Sequence, residues 1–355
     1  MTAYIIRRLL QLPITVFGVT ILIFLMVYFG LGPVERAALY IRDIPHTEGA
    51  IDAVIRRYGL NDPLFVQYGS WLFGRYDSVS GQTVGGVFRG DLGWSRTGNS
   101  TVSELIARRL PATVELALLA AGPIVLIGIW LGVKAAVNHN KPIDQAARVF
   151  SIVGYSFPTF VFGLLMLLIF YARLQWFPPD RLSDWATRIV TSSDFVRYTQ
   201  LNTIDAILNG RFDIFLDALR HMVLPIITLS YLSWALLLKI TRSSMLESLR
   251  QDYVTTARAK GLRERDVINR HARRNALLPV ATVGGTTVVH LLGGVVITET
   301  VFNYPGIGSA VARAAGSLDV LTVLGFVLFN ATLLIVANLI VDVMYAFLDP
   351  RVRLG

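Results

Sequence analysis

Six long apolar segments dominate the sequence and restrict what the chain can fold into. Each has roughly the 20 apolar residues that a helix needs to cross the hydrocarbon core of a bilayer. The segments are residues 9–31, 112–137, 149–172, 219–240, 277–298 and 320–348. Only 16% of the residues are charged, against about a quarter in soluble domains. The sequence therefore predicts an all-α polytopic membrane protein with six transmembrane helices.

Basic residues predict the orientation of these helices, because cytoplasmic loops carry an excess of lysine and arginine. Arg7 and Arg8 precede the first segment, which places the N-terminus inside. Loops 138–148 and 241–276 and the C-terminal tail are then cytoplasmic, and the second of these loops holds the densest basic run. The remaining connections are expected to be external, and they are residues 32–111, 173–218 and 299–319.

The two long external segments are expected to have structure of their own. Segment 32–111 contains turn-rich and aromatic stretches that indicate a small, partly helical cap, and segment 173–218 is expected to hold one or two surface helices. Either segment would contact a partner delivered from outside or simply cover the helix ends. The predicted organisation is thus an N-terminal transmembrane helix (1–31), an external cap (32–111) and a core of five transmembrane helices (112–355).

Most kinds of chemistry have no support in the sequence. The chain has no cysteine and no Gly-Lys dipeptide, which excludes thiolate sites and the phosphate-binding loop that needs a lysine after glycine. No acidic metal cluster or catalytic motif is present, so we expect no metal and no enzymatic activity. The net charge of +9 lies largely in the predicted cytoplasmic loops, without the interleaved aromatic residues of a nucleic-acid groove.

The basic run after the fourth segment carries a second pattern. Tyr253, Ala257 and Gly261 are spaced i, i+4 and i+8, so on one helix they would share a face. That face would hold one aromatic and two very small residues, while Arg258 and Lys260 would point elsewhere. We expect this smooth face to seat against another protein in the cytoplasm.

Polar and small residues inside the fifth segment are candidates for a translocation path. Gly284 and Gly285 form one glycine pair, Gly293 and Gly294 form another, and His290 lies between them. Glycine pairs allow close packing of helices, or they leave room for a path along the helix. An ionisable residue at membrane depth is a functional candidate, although His290 bonded to a neighbouring helix is an equal alternative.

Two carboxylates near the ends of predicted spans have different interpretations. Glu299 follows the fifth segment at its external end, where we expect its carboxylate to reach water and to border the same path. Asp342 lies in the inner half of the sixth segment. A structural pairing with an arginine or a backbone donor is the favoured role for Asp342.

Residues 253–262 resemble the cytoplasmic coupling motif of ABC importer permeases of the dipeptide/oligopeptide/nickel family. The motif reads Glu-Ala-Ala, three residues, then glycine, and here Thr255, Thr256 and Ala257 precede Gly261. Thr255 stands where the motif often has glutamate. Residues 242–247, 274–279, 299–308 and 348–351 are similar to further segments of the family. The motif positions are Pro279, Pro305, Gly306, Gly308, Asp342, Asp349 and Pro350.

The resemblance implies one half of a heterodimeric pore in a bacterial or archaeal cytoplasmic membrane. A second, related permease would complete the pore, two cytoplasmic ATPases would bind ATP and Mg²⁺, and an external binding protein would deliver substrate. This chain would bind the lipid bilayer and no cofactor of its own. The implied ATPase-docking residues are Tyr253, Thr255, Thr256, Ala257, Arg258, Lys260 and Gly261.

The family resemblance leaves the substrate open. Peptides are the first expectation, while nickel chelates, glutathione or sugars are alternatives within the same machinery. An ion-coupled secondary transporter is the alternative of another class. It would predict buried acidic relays and two homologous halves with broken helices at matching places, and the sequence shows neither pattern.

Overall fold

A computed structural model describes residues 2–41, 49–77, 81–292 and 295–348, and most of these residues are helical. The α-helices up to the end of the second predicted span are α1 (Thr2–Gly30), α2 (Pro33–Tyr40), α3 (Ala50–Tyr58), α4 (Leu64–Phe73) and α5 (Val102–Val137). Those that follow are α6 (Pro142–Ser156), α7 (Thr159–Met166), α8 (Asp184–Val190), α9 (Asn202–Leu208), α10 (Phe212–Leu249), α11 (Asp252–Ala259), α12 (Glu264–Asp266), α13 (Arg273–Leu292), α14 (Val296–Val301), α15 (Ile307–Gly316) and α16 (Val320–Leu348).

Shorter elements complete the described chain. A π-helix at Leu167–Arg173 continues α7, another at Val267–Ala272 joins α12 to α13, and a 3₁₀-helix covers Val87–Arg89. Two antiparallel hairpins interrupt the helices, with Tyr76 opposite Thr83 in one and Trp94 opposite Thr101 in the other. Their strands are β1 (Arg75–Asp77), β2 (Gln82–Val84), β3 (Trp94–Ser95) and β4 (Ser100–Thr101).

The described helices include four that are long and apolar enough to cross a membrane. They contain Leu9–Gly30, Val102–Val137, Phe212–Leu249 and Val320–Val341. Their outward side chains are strongly apolar, as in α1, where Leu22, Met26 and Phe29 are all about 70% exposed. Such faces suit lipid, in which a helix satisfies its own backbone hydrogen bonds. The chain therefore has the architecture of an all-α polytopic membrane protein.

The third predicted span is broken. Pro142–Ser156 and Thr159–Arg173 qualify only as a pair, and they are bent by 104°. Phe157 has an extended backbone, and Pro158 follows it as the cap of α7. Proline disfavours the helical conformation in the residue before it and lacks an N–H of its own, which explains the break. The prediction of one continuous helix over 149–172 is therefore wrong.

The fifth predicted span is less apolar as a helix than the segment suggested. α13 covers most of residues 277–298, but it is not among the four described helices that are long and apolar enough to cross a membrane. A fifth described span is reached only if the bent pair α6–α7 is counted as one. The polar members of α13 include Thr282, Thr286, Thr287 and His290. Elsewhere the helices extend beyond the predicted ends, since α5 starts at Val102 and α10 runs from Phe212 to Leu249.

One compact unit comprises Met1–Leu110 and Ile307–Leu339. Its larger core cluster joins the start of α5 to α15 and α16, and its members are Val102, Leu105, Ile106, Ile307, Ala310 and Phe326. A smaller cluster of Ala37, Ile55 and Leu60 holds α2 against α3. The described residues between 33 and 101 include α2, α3, α4 and both hairpins, and the role of this segment as an external cap stays a prediction.

The second unit comprises Pro111–Gly306 and Ile340–Gly355. α8 and α9 lie within segment 173–218, where one or two helices were predicted. Both contribute to a core with α5, α10 and Tyr304. A second cluster packs α5 against α10 and α13 through Ile124, Leu237 and Val280. A third cluster surrounds α11.

Candidate functional site

The predicted docking loop folds around a core of small residues. Val254 and Ala257 of α11 are buried with Met245 near the end of α10, Ala272 at the end of the π-helix and Ala276 at the start of α13. Alanine at these positions allows the short helix to approach its neighbours closely, because a methyl side chain takes little space. α11 is thus joined to both long helices that flank it in the sequence.

Hydrogen bonds reinforce this attachment. The Tyr253 hydroxyl lies 2.6 Å from Ser248 Oγ, and Ser248 Oγ lies 2.8 Å from the carbonyl oxygen of Ala272. A serine hydroxyl has one proton to donate. Since a carbonyl can only accept, Ser248 donates to Ala272 and Tyr253 donates to Ser248. One serine therefore connects α10, α11 and the π-helix that leads into α13.

The prediction that Tyr253, Ala257 and Gly261 share one face of a helix is wrong. α11 ends at Ala259, so Gly261 lies beyond the helix, with a left-handed φ of 74° that suits glycine. Ala257 is only 5% exposed because it faces the core of the loop. The small residues at 257 and 261 therefore allow close packing and chain reversal. They do not form a shared outer surface.

The outer surface of α11 consists of other motif residues. Thr255, Thr256, Arg258 and Lys260 are exposed, and Tyr253 is 38% exposed. Thr256 Oγ1 donates to the carbonyl of Asp252 one turn earlier (2.9 Å). This surface is polar and basic, and it is the part of α11 that is open to contact with another protein.

An exposed ion pair shapes the end of this surface. Arg258 donates through Nη2 and Nε to the two carboxylate oxygens of Glu264, at 2.7 and 3.1 Å. These hydrogen bonds lower the pKa of Glu264, while the slight burial of the carboxylate opposes the shift. Both side chains are about half exposed, so the pair contributes little to stability. It fixes the orientation of Arg258 relative to α12.

A buried carboxylate in the neighbouring loop was missed by the sequence analysis. Asp144 of α6 has 0% of its side chain exposed and forms ion pairs with Arg242 of α10 and Arg148. The amide N–H of Asn140 also donates to it (3.0 Å), and His139 Nδ1 lies 3.4 Å away. Asp144 is the one acidic residue of the basic loop 138–148, which was the available signal.

The candidate path residues on α13 lie on different sides of the helix. Gly284 is buried, and a β-carbon there would be 3.7 Å from Val125 of α5, while Gly285 is partly buried. His290 is exposed, and it continues the exposed positions of Thr282 and Thr286 at intervals of four residues. Gly293 and Gly294 lie outside the described residues.

Glu299 does not reach water, contrary to expectation. Its side chain in α14 is fully buried and its Oε1 accepts a hydrogen bond from Thr113 Oγ1 of α5 (2.7 Å). The chain then turns back over it, because the Tyr304 N–H donates to the backbone carbonyl of Glu299 (2.7 Å). This turn reverses the chain beside the Glu299 carboxylate. The Glu299 side chain therefore lies in the protein interior, whereas the sequence predicted that it would be exposed at the end of the fifth span.

Most of the family segment at 299–308 is buried. Phe302 and Tyr304 are 0% exposed, Gly306 and Gly308 are buried, and Pro305 is partly buried. Pro279, by contrast, is exposed within α13. The side chain of Asp342 lies outside the described part of the structure, as do Asp349 and Pro350.

A second buried carboxylate, Glu115 of α5, was also missed. Arg181 donates to it at 2.7 and 3.1 Å, and Thr203 donates to it through its N–H (2.7 Å) and its hydroxyl (2.8 Å). Burial raises the pKa of the nearby Tyr304 hydroxyl far above its usual value, and the charge of Glu115 adds to the shift. Glu115 is the one acidic residue of segment 112–137, so its position alone marked it.

Similarity to known proteins decides the family. Residues 124–354 match the profile of the binding-protein-dependent transport system inner membrane component, and residues 1–117 match the profile of its N-terminal region. The chain belongs to this family of transport permeases. The di/tripeptide transport system permease of Pseudomonas aeruginosa (strain UCBPP-PA14) is 38% identical over 99% of both chains. The oligopeptide transport system permease of Bacillus subtilis (strain 168) is 36% identical over 99% of this chain and all of the relative.

A dipeptide transport system permease of Alkalihalophilus pseudofirmus is 35% identical, over 99% of this chain and all of its own. In the permease described here, the two family profiles meet within α5, between residues 117 and 124. The predicted docking loop, Glu299 and the segment 299–308 all lie in the longer profile. Among the described residues, no group of three or more His, Cys, Asp or Glu side chains could hold a metal ion.

Proposed function

We propose that this permease forms one half of the translocation pore of an ATP-driven importer of di- or oligopeptides. The chain would cross the bacterial or archaeal cytoplasmic membrane six times with both termini inside, with α13 as the fifth span and the bent pair α6–α7 as the third. Residues 32–111 would form an external cap on the N-terminal helix (1–31), and residues 112–355 the permease core. Full-length similarity to peptide permeases supports the substrate class.

The absence of native cysteine makes the proposed topology directly testable. Thr256 and Ser193 are both exposed and would lie on opposite sides of the membrane. In intact cells, a membrane-impermeant maleimide should label the Ser193→Cys variant. It should label the Thr256→Cys variant only after the cells are opened. Labelling of Thr256→Cys in intact cells would contradict the N-in orientation.

The attachment of α11 carries the coupling mechanism. Its inner face packs on the end of α10 and the start of α13, and Ser248 of α10 is hydrogen-bonded to Tyr253 of α11 and to Ala272 of the π-helix that leads into α13. A force applied to the outer face of α11 would therefore move the two long helices together. Two ATPase subunits that bind ATP and Mg²⁺ would apply this force, and Thr255, Thr256, Arg258 and Lys260 would form the contact, with Tyr253 at its edge.

Ala257 and Gly261 have supporting roles in this proposal. Ala257 allows α11 to approach α10 and α13, and Gly261 allows the chain to reverse after the helix. Closure of the ATPase pair would then shift the pore between its inward and outward openings. A ligand can shift such an equilibrium only through different affinities for the two states, and ATP and a loaded external binding protein would supply that difference.

The exposed stripe of α13 is the proposed contribution of this chain to the path. Thr282, Thr286 and His290 share this stripe, and the histidine would be costly to expose to lipid. A second, homologous permease facing this stripe would enclose a polar route between the two subunits. Gly284 and Gly285 would let the helix pack closely on α5 beside that route, and Gly293 and Gly294 would extend it. Glu299 would support the end of α14 from inside the protein.

Reconstitution tests the proposal and its alternatives. The permease, its partner permease and two ATPases are placed in liposomes with the binding protein outside, and uptake of labelled dipeptide, nickel chelate, glutathione and sugar is measured. Uptake of peptide that requires internal ATP is expected. Uptake driven by an ion gradient without ATPases would instead establish the secondary transporter, and ATP-driven uptake of another substrate alone would reject peptides.

A further inference from the structure

The compact unit of Met1–Leu110 and Ile307–Leu339, called the N-terminal unit below, contains a cavity of about 420 Å³ that has no part in the proposed path. Its apolar walls come from the last turns of α1 and the first turns of α16. They include Ile23, Phe24, Val27, Leu321, Leu324 and Leu328. Both helices contain segments long and apolar enough to cross a membrane. The cavity lies where α1 ends and α16 begins, which corresponds to the surface of the bilayer.

A buried arginine lines this cavity without a carboxylate partner among the described residues. Arg36 of α2 is 7% exposed, and its Nη1 donates to Gln67 Oε1 at 2.6 Å. Its Nη2 lies 3.3 Å from the carbonyl oxygen of Leu60, and its Cζ lies 4.7 Å from the centre of the Tyr28 ring. All of these contacts are to neutral groups.

The Nε–H of Arg36 is buried and has no hydrogen-bond partner in the described part of the chain. Buried charges in proteins are normally paired, because an isolated ion loses its hydration without compensation. Arginine also favours phosphate and carboxylate groups, which match the geometry of its donors. A buried cation that lines a cavity and has no carboxylate partner among the described residues therefore indicates an anionic ligand.

The rest of the cavity is suited to such a ligand. Arg75 and Arg89 also line it; Arg75 is paired with Asp62 outside the lining, and Asp91 is the one carboxylate of the described lining, so Arg36 and Arg89 face a single acid. Tyr40 stacks on Tyr58, with ring centres 4.1 Å apart. Burial, and then the neighbouring Tyr58 and Asp91, raise the pKa of Tyr40 to about 12. Its hydroxyl therefore keeps its proton and can donate it to an anion.

We propose that this cavity binds an anionic phospholipid, with the phosphate at Arg36 and the glycerol and first acyl carbons between α1 and α16. The combination of an excess of arginine with walls built from two membrane-crossing helices requires a ligand that is both anionic and apolar. The outward faces of α1 at Leu22 and Met26 are exposed and apolar, so the remaining acyl chain can continue along the helix in the bilayer.

Lipid binding to the full-length permease in its transporter complex tests this proposal. The delipidated complex is titrated with phosphatidylglycerol, phosphatidylcholine or inorganic phosphate, and retained lipid is counted by native mass spectrometry alongside the unfolding temperature. Phosphatidylglycerol should bind and raise the unfolding temperature more than phosphatidylcholine does. Arg36→Gln should weaken its binding about tenfold or more, since a charge-assisted hydrogen bond is lost.

Two further variants keep the result interpretable. Arg56 is exposed on α3 and does not line the cavity, so Arg56→Gln removes the same charge and should bind lipid normally. Ser70 lines the cavity, so Ser70→Phe should fill it and block binding while Arg36 remains, which covers the case in which Arg36→Gln fails to fold. Equal binding of both lipids, equal loss in Arg56→Gln, or full stabilisation by inorganic phosphate alone would overturn the proposal.

Discussion

The carboxylate of Glu299 occupies the space in which a side chain on residue 306 would begin. A β-carbon at Gly306 would lie 2.4 Å from Glu299 Cδ, well inside van der Waals contact. The two residues are brought together by the turn that follows α14, in which the Gly306 N–H donates to the Tyr304 carbonyl (2.8 Å). Glycine at 306 is thus required by a carboxylate seven positions earlier, and the carboxylate is in turn held by Thr113.

Gly306→Ala should destabilise the permease by about 1–3 kcal/mol, as overpacking of a buried site does. Gly316 is a suitable control, because it is exposed in α15 and a β-carbon there would meet nothing within 4 Å. Gly316→Ala should leave stability unchanged or raise it slightly. Thermal unfolding of the purified variants measures both effects.

A double-mutant cycle identifies the cause of the loss. If the clash with Glu299 is responsible, adding Gly306→Ala to Glu299→Ala should cost much less than Gly306→Ala costs in the wild-type permease. Additive losses would show that position 306 is constrained by something other than the carboxylate.

Asp144 should be the strongest single ionic contributor at the loop between α5 and α6. Asp144→Asn removes the buried negative charge that the Arg242 and Arg148 guanidinium groups share and turns one acceptor oxygen into a donor, and breaking such a pair costs about 3–5 kcal/mol. Asp213→Asn is the control, because Asp213 pairs with Arg211 at the surface and is half exposed. Unfolding in increasing denaturant should show a large loss for Asp144→Asn and a much smaller one for the control. Similar losses would contradict the role given to burial.

Composition and local sequence predicted the architecture well. Apolar runs of membrane-crossing length predicted α1, α5, α10 and α16, because the bilayer imposes a minimum length on a spanning helix. The third apolar segment contains Pro158, but the hydropathy of a segment depends only on its composition and does not predict whether the helix bends. Proline breaks some spans and is tolerated in others, and α10 continues through Pro225.

The candidate site was harder to predict because periodicity does not tell which way a face points. The spacing of Tyr253 and Ala257 correctly placed them on a helix, but a small residue serves equally well at an outer contact and in a tight core. Ala257 took the second role once Met245 and Ala276 packed on it. Ionic partners are harder still, since Asp144 and Arg242 are separated by 98 residues of chain.

Stability of the N-terminal unit should depend on pH through Asp319, the residue before α16. Asp319 is 4% exposed, and its carboxylate accepts hydrogen bonds from Thr97 N–H (2.9 Å), Thr97 Oγ1 (2.9 Å) and Thr322 Oγ1 (2.7 Å). Burial alone would raise the pKa of Asp319, but these hydrogen bonds outweigh it and lower the pKa. The ionised form is therefore the one that the fold stabilises.

A depressed pKa in the folded state contributes stability above the unfolded value and loses it as the pH falls through the folded value. Asp319→Asn should therefore lower stability at pH 7, by about 1–3 kcal/mol. The difference from wild type should shrink once the pH falls below about 4, where an unfolded aspartate becomes protonated. Unfolding temperatures of both proteins from pH 7 to pH 3 measure this. A difference that stays constant over that range would exclude Asp319 as the cause.

The two faces of α11 should respond to substitution in different ways. Ala257→Arg places a charged side chain in the core of the loop, so it should destabilise the permease and reduce the amount that folds. Thr255 is exposed beside it, and Thr255→Trp adds bulk without entering that core. Thr255→Trp should insert and unfold like wild type yet reduce ATP-driven uptake in proteoliposomes about tenfold or more, because the proposed ATPase contact is displaced. A loss of that size corresponds to about 1.4 kcal/mol.

Thr255→Val is the matched control for this experiment, because it keeps the size and the β-branch of threonine and changes only the hydroxyl. It should support normal uptake if the contact depends on shape. ATPase activity is measured in the same proteoliposomes, and in Thr255→Trp its stimulation by the loaded binding protein should be lost together with uptake. Normal uptake by Thr255→Trp would exclude the outer face of α11 as the docking surface, whereas failure of Thr255→Val as well would assign the contact to the hydroxyl.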